Sequence, residues 1–491
     1  MTVQGTTQRH RTAIRRTTLS RPLRLGIEAG LISQECSLFD YGCGRGDDLR
    51  GLKARGIQCQ GWDPVYRSHV ERQESDIVNL GYVINVIENV EEREQTLRNA
   101  WKLANKVLIV SARLSVESKG LNHKQYRDGY LTQRDTFQKF FTQQELRDWI
   151  DTTLGVSCSP AAPGVFFVFR DESQRQSFRA ARYRRRVTPP SQYQSNEFFE
   201  RHTDLLMPLI DFFTLRGRLP HEDELPNAIA LRGVFGSLQR AFGIVQRATG
   251  KERWQTIREE RAQDLLIYLA LERFGGRPRF SALPQDIQLD TKAFFGTYAR
   301  ACSAADDLLF SIGNMTIVDT ACREAACGKR TPDALYIHAT ALPSLSPTLR
   351  VYEGCARGYI GVVEEANVIK LSRRKPQVSY LSYPGFDRDP HPALVGSLVV
   401  NLQSFQVNYR DYSDSASPPI LHRKEQFVST DYPSRAKFER LTRQEESKGL
   451  YENASFIGTR NKWNEILNAK GVRLAGHRLV QVTQSDFCND T

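Results

Sequence analysis

Residues 37–46 read SLFDYGCGRG, and this stretch decides the fold of the first third of the chain. The apolar run that ends at Asp40 predicts a short buried strand. Gly42, Gly44 and Gly46 follow at alternate positions, where glycine permits a turn with positive φ and a close approach of the backbone to a ligand. A helix predicted to begin at the last of these glycines would point its first backbone amides at the same place. The stretch therefore predicts a strand, a ligand-binding glycine loop and a helix.

A second acidic residue lies at the end of the second predicted strand, where it could bind a nucleoside. Residues 57–62 predict another strand, which ends at Asp63. A carboxylate at that position can accept hydrogen bonds from both ribose hydroxyls of a nucleoside cofactor. Dinucleotide-binding folds usually show GxGxxG with no acid leading the turn, whereas Asp40 leads this one. The loop and Asp63 together predict a nucleoside cofactor and favour one that is not a dinucleotide.

Strands and helices alternate over residues 35–170, which predicts an α/β fold with a parallel, doubly wound sheet. Thr142 and Glu145 have the spacing of a capping box at the start of a helix. The predicted strands are 37–41, 57–62, 76–83, 106–111 and 164–170, and the predicted helices are 20–34, 46–55, 87–104 and 142–150.

The DxGxGxG pattern resembles motif I of the class I S-adenosylmethionine-dependent methyltransferases, which have a Rossmann-like fold. The resemblance implies S-adenosyl-L-methionine as the cofactor, with Asp40 near its amino-acid part, the three glycines in the cofactor loop and Asp63 at the ribose. It also implies a third strand followed by an acid that contacts adenine. The stretch 65–75 is short for that strand, and Glu74 and Asp76 are equal candidates for the acid.

Candidate acceptor-binding residues follow the run that resembles the fourth strand of this family. Asn79 and Tyr82 are three residues apart, as in the [DNS]-P-P-[YF] motif of DNA amino-methyltransferases, although Leu80 and Gly81 replace the two prolines. In that motif the polar side chain accepts hydrogen bonds from the target amine and the aromatic ring stacks on a flipped base. The alternative is that both residues only line the cofactor. The sequence has no Pro-Cys dipeptide, which argues against cytosine C5 chemistry through a cysteine nucleophile.

Composition indicates a globular protein with an anionic partner. The chain has 491 residues, 40% of them hydrophobic, and 68 Lys and Arg against 56 Asp and Glu, a net charge of +12. Basic residues concentrate in 1–35 and 171–190, on either side of the neutral segment 36–114, a layout that suits phosphate contacts. The nine cysteines lack a paired framework, and no apolar run is long enough to cross a bilayer. These features predict a cytoplasmic protein with no membrane association and no metal site.

Four segments are predicted from changes in composition. They are a methyltransferase domain with a basic N-terminal arm (1–170), an Arg/Pro-rich linker (171–194), a mainly helical domain (195–330) and a mixed α+β domain of unassigned role (331–491). The helical domain contains FG[ST]xxRA twice, at positions 235–241 and 295–301. The first copy resembles the small helical DNA-binding repeats associated with homing endonucleases, which implies that Ser237, Gln239 and Arg240 face a groove or phosphates. A plain helical bundle is the alternative.

Strings along nearly the whole chain resemble the bacterial methyltransferases associated with DNA phosphorothioation. They are RHRTAIRRTTLSRP, FDYGCGRGDDLRGL, GWDP, DIVNLGYVINVIE, RVYEGCARGYIG, VSYLSYPGFD, PPILHRKE and GHRL. The resemblance implies a three-part protein linked to sulfur modification of the DNA backbone and to defence against foreign DNA, with DNA and proteins of the phosphorothioation system as partners.

The sequence therefore predicts an S-adenosylmethionine-dependent methyltransferase that acts on DNA, with a base amine as the acceptor. The first alternative is a non-catalytic DNA-binding, assembly or sensor component of the same system, in which the cofactor fold is a scaffold. The second is a methyltransferase that acts on RNA or on a protein.

Overall fold

The computed structural model describes residues 9–118, 124–133, 135–186, 197–452 and 457–482. The described residues form two compact units. The first draws on Met1–Asp171, Cys322–Ser344 and Glu353–Thr491, and the second on Glu172–Ala321 and Leu345–Tyr352. Residues 1–8 of the basic arm, 187–194 of the predicted linker and 483–491 lie outside the described residues. The four-segment division stays a prediction.

The first unit begins with an α/β segment that contains the predicted glycine loop. Its helices are α1 (Arg21–Glu28), α2 (Asp47–Lys53), α3 (Val90–Leu103) and α4 (Gln143–Leu154). Its strands are β1 (Leu38–Tyr41), β2 (Cys59–Trp62), β3 (Ser75–Gly81), β4 (Ala104–Ser111), β5 (Lys124–Tyr126), β6 (Gly129–Leu131), β7 (Phe137–Gln138), β8 (Ser159–Ala162) and β9 (Val165–Phe169).

The main sheet has the order β2-β1-β3-β4-β9-β8. Strands β1 to β4 are parallel, and β9 and β8 complete the sheet in antiparallel pairing. The predicted Rossmann-like α/β fold with a parallel sheet is therefore confirmed. The segment between β2 and β3 is described throughout and contains no strand, so the third strand that the resemblance implied is absent and β2 is an edge strand.

Local signals explain where these helices begin and end. The hydroxyl of Thr142 accepts from the amide of Glu145 at 3.0 Å, and the Glu145 carboxylate accepts from the amide of Thr142 at 3.2 Å, which confirms the capping box. The helix predicted over 20–34 ends earlier, at Glu28. Gly30 adopts a φ of 69°, and the amides of the next two residues donate to the carbonyl of Gly26, which is a typical glycine-based helix end.

The rest of the first unit is a second sheet with helices. Strands β10 to β15 pair antiparallel in sequence order, and β16 pairs with β17. The strands are β10 (Lys329–Arg330), β11 (Ala334–His338), β12 (Val368–Ser372), β13 (Gln377–Ser382), β14 (Gly396–Asn401), β15 (Val407–Asp411), β16 (Val472–Leu474) and β17 (Leu479–Gln481). The helices are α14 (Pro347–Ile360), whose first half belongs to the second unit, α15 (Arg435–Ser447) and α16 (Arg460–Ala469).

Residues that follow α14 connect this second sheet to the edge of the first. The amide of Val362 donates to the carbonyl of Ala161 in β8 at 2.9 Å. Gly361, with a φ of 81°, lies so close to the backbone of β8 that no side chain would fit. Arg21 at the start of α1 forms an ion pair of 2.6 Å with Glu364. Segments from opposite halves of the sequence therefore pack together within this unit.

Three strings of the family resemblance meet in the second sheet's neighbourhood. The ammonium of Lys424 in HRKE donates to the carbonyls of Phe386 and Asp389, at 2.6 and 2.5 Å, and contacts Nε2 of His477 in GHRL at 3.0 Å. Lys424 is buried, and burial lowers its pKa to about 7. All three of its donors are used within the protein, so this lysine joins three loops.

The second unit is helical. Its helices are α5 (Glu172–Ala181), α6 (Glu197–Arg201), α7 (Thr203–Arg216), α8 (Ala228–Phe235), α9 (Leu238–Thr249), α10 (Lys251–Glu272), α11 (Gln285–Phe295), α12 (Tyr298–Ser311) and most of α13 (Met315–Glu324). Helix α5 occupies part of the predicted linker, where Gln176 is fully buried and its Oε1 accepts from the hydroxyl of Tyr268 at 2.5 Å. The many arginines of this stretch led to its interpretation as a linker, but arginine is also a good helix former, and part of the stretch is a packed helix.

The two FG[ST]xxRA copies have the same structure. In each, a glycine with positive φ ends one helix, at Gly236 (79°) and Gly296 (75°). The next residue caps the following helix, with the Ser237 hydroxyl accepting from a backbone amide at 3.1 Å and the Thr297 hydroxyl at 3.3 Å. The sequence repeat is therefore a repeated helix–turn–helix joint.

Candidate active site

A cavity of about 500 Å³ opens at the carboxyl ends of β1, β2 and β3. Ligands bind at this edge of open α/β sheets, because the loops after parallel strands converge there. Six of the seven predicted site residues line it, namely Asp40, Gly42, Gly44, Asp63, Asn79 and Tyr82. Gly46 does not line it and instead forms the N-cap of α2 with a φ of 75°.

The glycine loop has no room for side chains at its first position. Gly42 has a φ of 86°, and a Cβ atom there would collide with the Cγ2 methyl of Val83. Gly44 has a φ of 52°, and a Cβ atom there would lie 3.3 Å from the Cβ of Ala13. The backbone of this loop therefore forms the wall of the cavity directly.

We expect Gly42→Ala to lower the free energy of unfolding by about 1–3 kcal/mol, since it combines a collision with an unfavourable φ. Gly30→Ala is the matched control, because Gly30 has a φ of 69° with no atom within 4 Å of its added Cβ. Chemical denaturation measures both variants. Val83→Ala removes the methyl group that collides with the added Cβ. In the Val83→Ala background, Gly42→Ala should therefore lower the free energy of unfolding by no more than Gly30→Ala does. Equal losses in the two single variants would show that the loop tolerates the methyl group.

Asp63 connects the glycine loop to the end of β2. Its Oδ2 accepts from the amide of Gly44 at 3.1 Å, and its Oδ1 accepts from the amides of Val65 and Tyr66, both at 2.9 Å. The carbonyl of Trp62, one residue earlier, accepts from the amides of Gly42 and its neighbour at 2.8 and 3.1 Å. The loop and the second acid thus face the same cavity and hold each other in place.

Asp40 and Asn79 form a buried pair on adjacent strands. They are register partners in β1 and β3, and the Asn79 amide donates to Oδ1 of Asp40 at 2.8 Å. Both are buried, at 4% and 2% exposure. Burial, and to a smaller extent the nearby Asp48 carboxylate, raises the pKa of Asp40 to about 7. The Oδ1 atom of Asn79 is buried and has no hydrogen-bond partner among the described residues, so it can still accept a donor.

Tyr82 has a strained backbone directly after β3. Its φ of 58° is unfavourable for an aromatic residue, and its amide donates to the carbonyl and to the hydroxyl of Ser111 at 3.0 and 3.2 Å. The Arg16 guanidinium lies 5.7 Å from the centre of the Tyr82 ring. Strained residues of this kind concentrate at binding and catalytic sites. The bonds to Ser111 hold the ring at the cavity wall despite the strain.

The sequence did not predict that the basic arm would wall this cavity. Arg9 forms ion pairs with Glu88 at 2.8 Å and Glu92 at 2.5 Å. Backbone amides of the arm donate to the first two residues of α2, from Arg16 to one carboxylate and from the N-cap of α1 to the other, both at 2.7 Å. The arm's charge was the only signal in the sequence, and it indicated a polyanion. The structure gives several of these residues partners within the same unit.

Aromatic residues and a cation cover the exposed edge of the sheet. Arg72 lies 4.0 Å above the ring of Trp62 and 5.5 Å from that of Tyr41, and all three line the cavity. The two rings pack edge to face with centroids 5.2 Å apart. The irregular segment between β2 and β3 therefore closes the side where a third strand was expected.

The thiol of Cys43 lines the cavity but is not poised as a nucleophile. Burial and the neighbouring Asp40 carboxylate raise its pKa to about 12, so it stays protonated at neutral pH. Across the described ranges, no group of three or more His, Cys, Asp or Glu side chains is arranged to hold a metal ion. The described helices also include none with the length and apolarity that a bilayer crossing requires.

Comparison with known proteins yields only distant matches. No protein-family model matches the chain, and no curated protein does. One similar structure is the 1,6-didemethyltoxoflavin-N1-methyltransferase of Burkholderia thailandensis with bound S-adenosylhomocysteine (12% identity, TM-score 0.22, 30% of this chain and 74% of that one). Another is the magnesium protoporphyrin IX methyltransferase of Synechocystis PCC 6803 with bound SAH (11%, 0.22, 33% and 93%). Matches this distant assign no activity.

Proposed function

We propose that this protein binds S-adenosyl-L-methionine and transfers its methyl group to an amine of a DNA base. The observation that carries the proposal is the cavity itself, in which a positive-φ glycine loop, Asp63 and the buried Asp40 meet at the carboxyl edge of a parallel sheet. Its volume of about 500 Å³ lies in the range of small-molecule sites.

The residues present fit this cofactor. S-Adenosylmethionine supplies an electrophilic methyl group and carries two cationic centres and a ribose. The Asp63 carboxylate has about four acceptor sites, of which three amides use three, so Oδ2 keeps one for a ribose hydroxyl. Asp40 provides a buried carboxyl group. A cation beside it would lower its pKa and hold it in the charged form, which favours binding of a cationic group. Gly42 and Gly44 let the backbone approach a ligand closely.

Asn79 and Tyr82 are the residues we assign to the acceptor. The buried Oδ1 of Asn79 can accept from an amine, and the Asp40 bond fixes the orientation of the amide. The ring of Tyr82 lines the cavity and can stack on a planar base. Positioning of the amine by these two groups is the main demand of the reaction, since methyl transfer needs little beyond orientation.

Charge and family resemblance support DNA as the substrate. The net charge of +12 favours a polyanion, and the strings that resemble methyltransferases associated with DNA phosphorothioation favour DNA. The proposal includes a cytoplasmic location and proteins of the phosphorothioation system as partners in defence.

We expect Tyr82→Ala and Asn79→Ala to lose methyl transfer to DNA by about 100-fold or more while keeping affinity for S-adenosylmethionine within about 5-fold. Radiolabelled transfer to DNA, RNA and host lysate, with calorimetry of cofactor binding, measures both quantities. Tyr130→Ala, at an exposed tyrosine that does not line the cavity, is the matched control.

The same assay tests the alternatives. Label that appears only in RNA or protein would contradict the DNA proposal. Cofactor binding by the wild type without transfer to any acceptor would favour the non-catalytic assembly or sensor component. Transfer to DNA that survives both substitutions would contradict the roles of Asn79 and Tyr82.

A further inference from the structure

The helical unit contains an open groove that has not been assigned to any role. It has a volume of about 680 Å³ and lies among α7, α9, α10 and α11. Its polar lining residues are Arg218, Gln239, Gln246, Lys251, Gln255 and Arg258. None of the residues that line it is acidic. A groove that presents only cations and amides to a ligand is complementary to anions with hydrogen-bonding oxygens.

The floor of the groove is aromatic and rigid. Phe213 stacks on Phe242 with ring centroids 4.2 Å apart, and Trp254 packs edge-on against both at 5.5 and 5.1 Å. All three rings are buried, and they belong to the core of this unit. Since the floor is part of the core, the groove is a permanent feature of the surface rather than a gap between loose side chains.

Basic side chains outnumber acidic ones along α9 and the first two turns of α10, after which Glu259 and Glu260 follow in the sequence. Residues 238–258, which form α9 and the start of α10, contain five basic side chains and one acidic side chain, Glu252. The basic residues are Arg240, Arg247, Lys251, Arg253 and Arg258. A segment with this balance attracts phosphates over a distance comparable to the Debye length.

The groove's polar groups differ in how much of their bonding capacity is already used. Arg218 is neutralised by Asp290 at 2.7 Å and by Glu224 at 2.7 Å. Arg258 donates one of its five N–H groups to the carbonyl of Ala293 at 2.6 Å. Within the described residues, no hydrogen bond or ion pair involves the side chains of Lys251 or the two glutamines of α9, Gln239 and Gln246. These groups therefore remain available to a ligand.

The structure also changes which face of α9 would contact nucleic acid. The hydroxyl of Ser237 is used to cap the helix, and the side chain of Arg240 folds back over Gly236. Gln239 and Gln246, two helical turns apart, lie on one face and open into the groove with Lys251. Two of the three residues predicted to contact DNA thus have local roles, and the third belongs to the groove.

We propose that this groove binds the sugar–phosphate backbone of a nucleic acid strand. Lys251 and Arg258 pair with phosphate oxygens, and the amides of Gln239 and Gln246 donate to phosphate and sugar oxygens along the strand, while the amide of Gln255 is bonded to Glu259 at 2.7 Å. Such contacts position a nucleic acid without reading its sequence. The inference rests on the proposed function, because it names the part of the chain that holds the DNA substrate.

Charge reversal of Lys251 tests the groove. We expect Lys251→Glu in the full-length protein to weaken binding of a labelled DNA duplex by about 10-fold or more, and to reduce the slope of log affinity against log salt by about 1. Arg247→Glu is the matched control, since Arg247 is exposed on α9 outside the groove and carries the same charge change. It should weaken binding by less than about 3-fold. Fluorescence anisotropy measures both.

Folding does not confound this comparison. Lys251 is exposed at the first position of α10, where glutamate is favourable to the helix dipole, and thermal unfolding of the variant checks this. The uncharged substitutions Gln239→Ala and Gln246→Ala should together weaken binding by about 3- to 10-fold with an unchanged salt slope. Equal weakening by Lys251→Glu and Arg247→Glu, or no weakening by the former, would overturn the proposal.

Binding of single-stranded DNA and of RNA of the same sequence shows which kind of nucleic acid the groove binds. Preference of the wild type for either one over the duplex, lost in Lys251→Glu, supports the groove and identifies its ligand. These measurements distinguish a failure of the groove proposal from a failure of the proposed function. Selective loss of DNA binding in Lys251→Glu upholds the groove even if no methyl transfer is found. Methyl transfer to DNA unaffected by Lys251→Glu at limiting DNA concentration overturns the groove alone.

Discussion

Replacing Asp63 by alanine is expected to weaken S-adenosylmethionine binding by about 10- to 100-fold, as the loss of charge-assisted hydrogen bonds costs roughly 1.5–3 kcal/mol. Two effects act together in this variant. The carboxylate proposed to accept a ribose hydroxyl is removed, and the amide of Gly44 loses the acceptor that holds the cofactor loop against β2.

Isothermal calorimetry on the full-length protein measures this effect. Glu71→Ala is the control, since Glu71 is exposed, lies in the same segment and does not line the cavity. Asp63→Asn separates the two effects, because its amide oxygen can still accept from Gly44 while the negative charge is lost. Unchanged affinity in Asp63→Ala would contradict the cofactor assignment, whatever the acceptor proves to be.

Asp40 is expected to make the protein's stability and its cofactor affinity depend on pH in opposite directions. Its pKa in the folded protein is about 7, against an ordinary value of 3.8. The folded state therefore binds the proton more tightly than the unfolded chain, so this contribution to stability is complete below pH 4 and is lost as pH rises through 7. Between pH 5.5 and 7.5 the free energy of unfolding should fall by about 2 kcal/mol.

Affinity for the cationic cofactor should instead rise over the same interval, because the charged carboxylate attracts it and the neutral acid does not. Denaturation and calorimetry at several pH values measure the two trends. In Asp40→Asn the fall in stability should disappear, affinity should be low at every pH, and the variant should be more stable than the wild type at pH 7.5. A wild-type affinity that is flat from pH 5.5 to 7.5 would rule out a role for Asp40 in holding the cofactor's charge.

The N-terminal fold could be predicted from the sequence because its signals are local. The glycines after Asp40, the acid at the end of the second strand and the capping box at Thr142 each act within a few residues, and the structure has the predicted elements at these places. The same locality explains why Asp40, Gly42, Gly44 and Asp63 could be proposed together, since the ends of parallel strands always share one edge.

Other features depend on residues that meet only in three dimensions. Nothing near Arg16 in sequence indicates that its side chain lies over Tyr82, and Arg72 lies over Trp62 from an irregular segment where a strand was expected. Helix α5 was missed because arginine-rich composition is shared by linkers and by helices that bury one face. Long-range packing, rather than propensity, decides each of these cases.

The contact between Val362 and Ala161 also has a consequence for biosynthesis. The strand that contains Ala161 leaves the ribosome long before Val362 is added to the chain. At roughly 5–20 residues per second, about 10–40 s of elongation separate the two. During that interval the carbonyl of Ala161 on the outer strand β8 lacks its Val362 partner, and exposed strand edges are templates for pairing with other chains. The contact at this edge of the first sheet therefore forms only after most of the polypeptide has been translated.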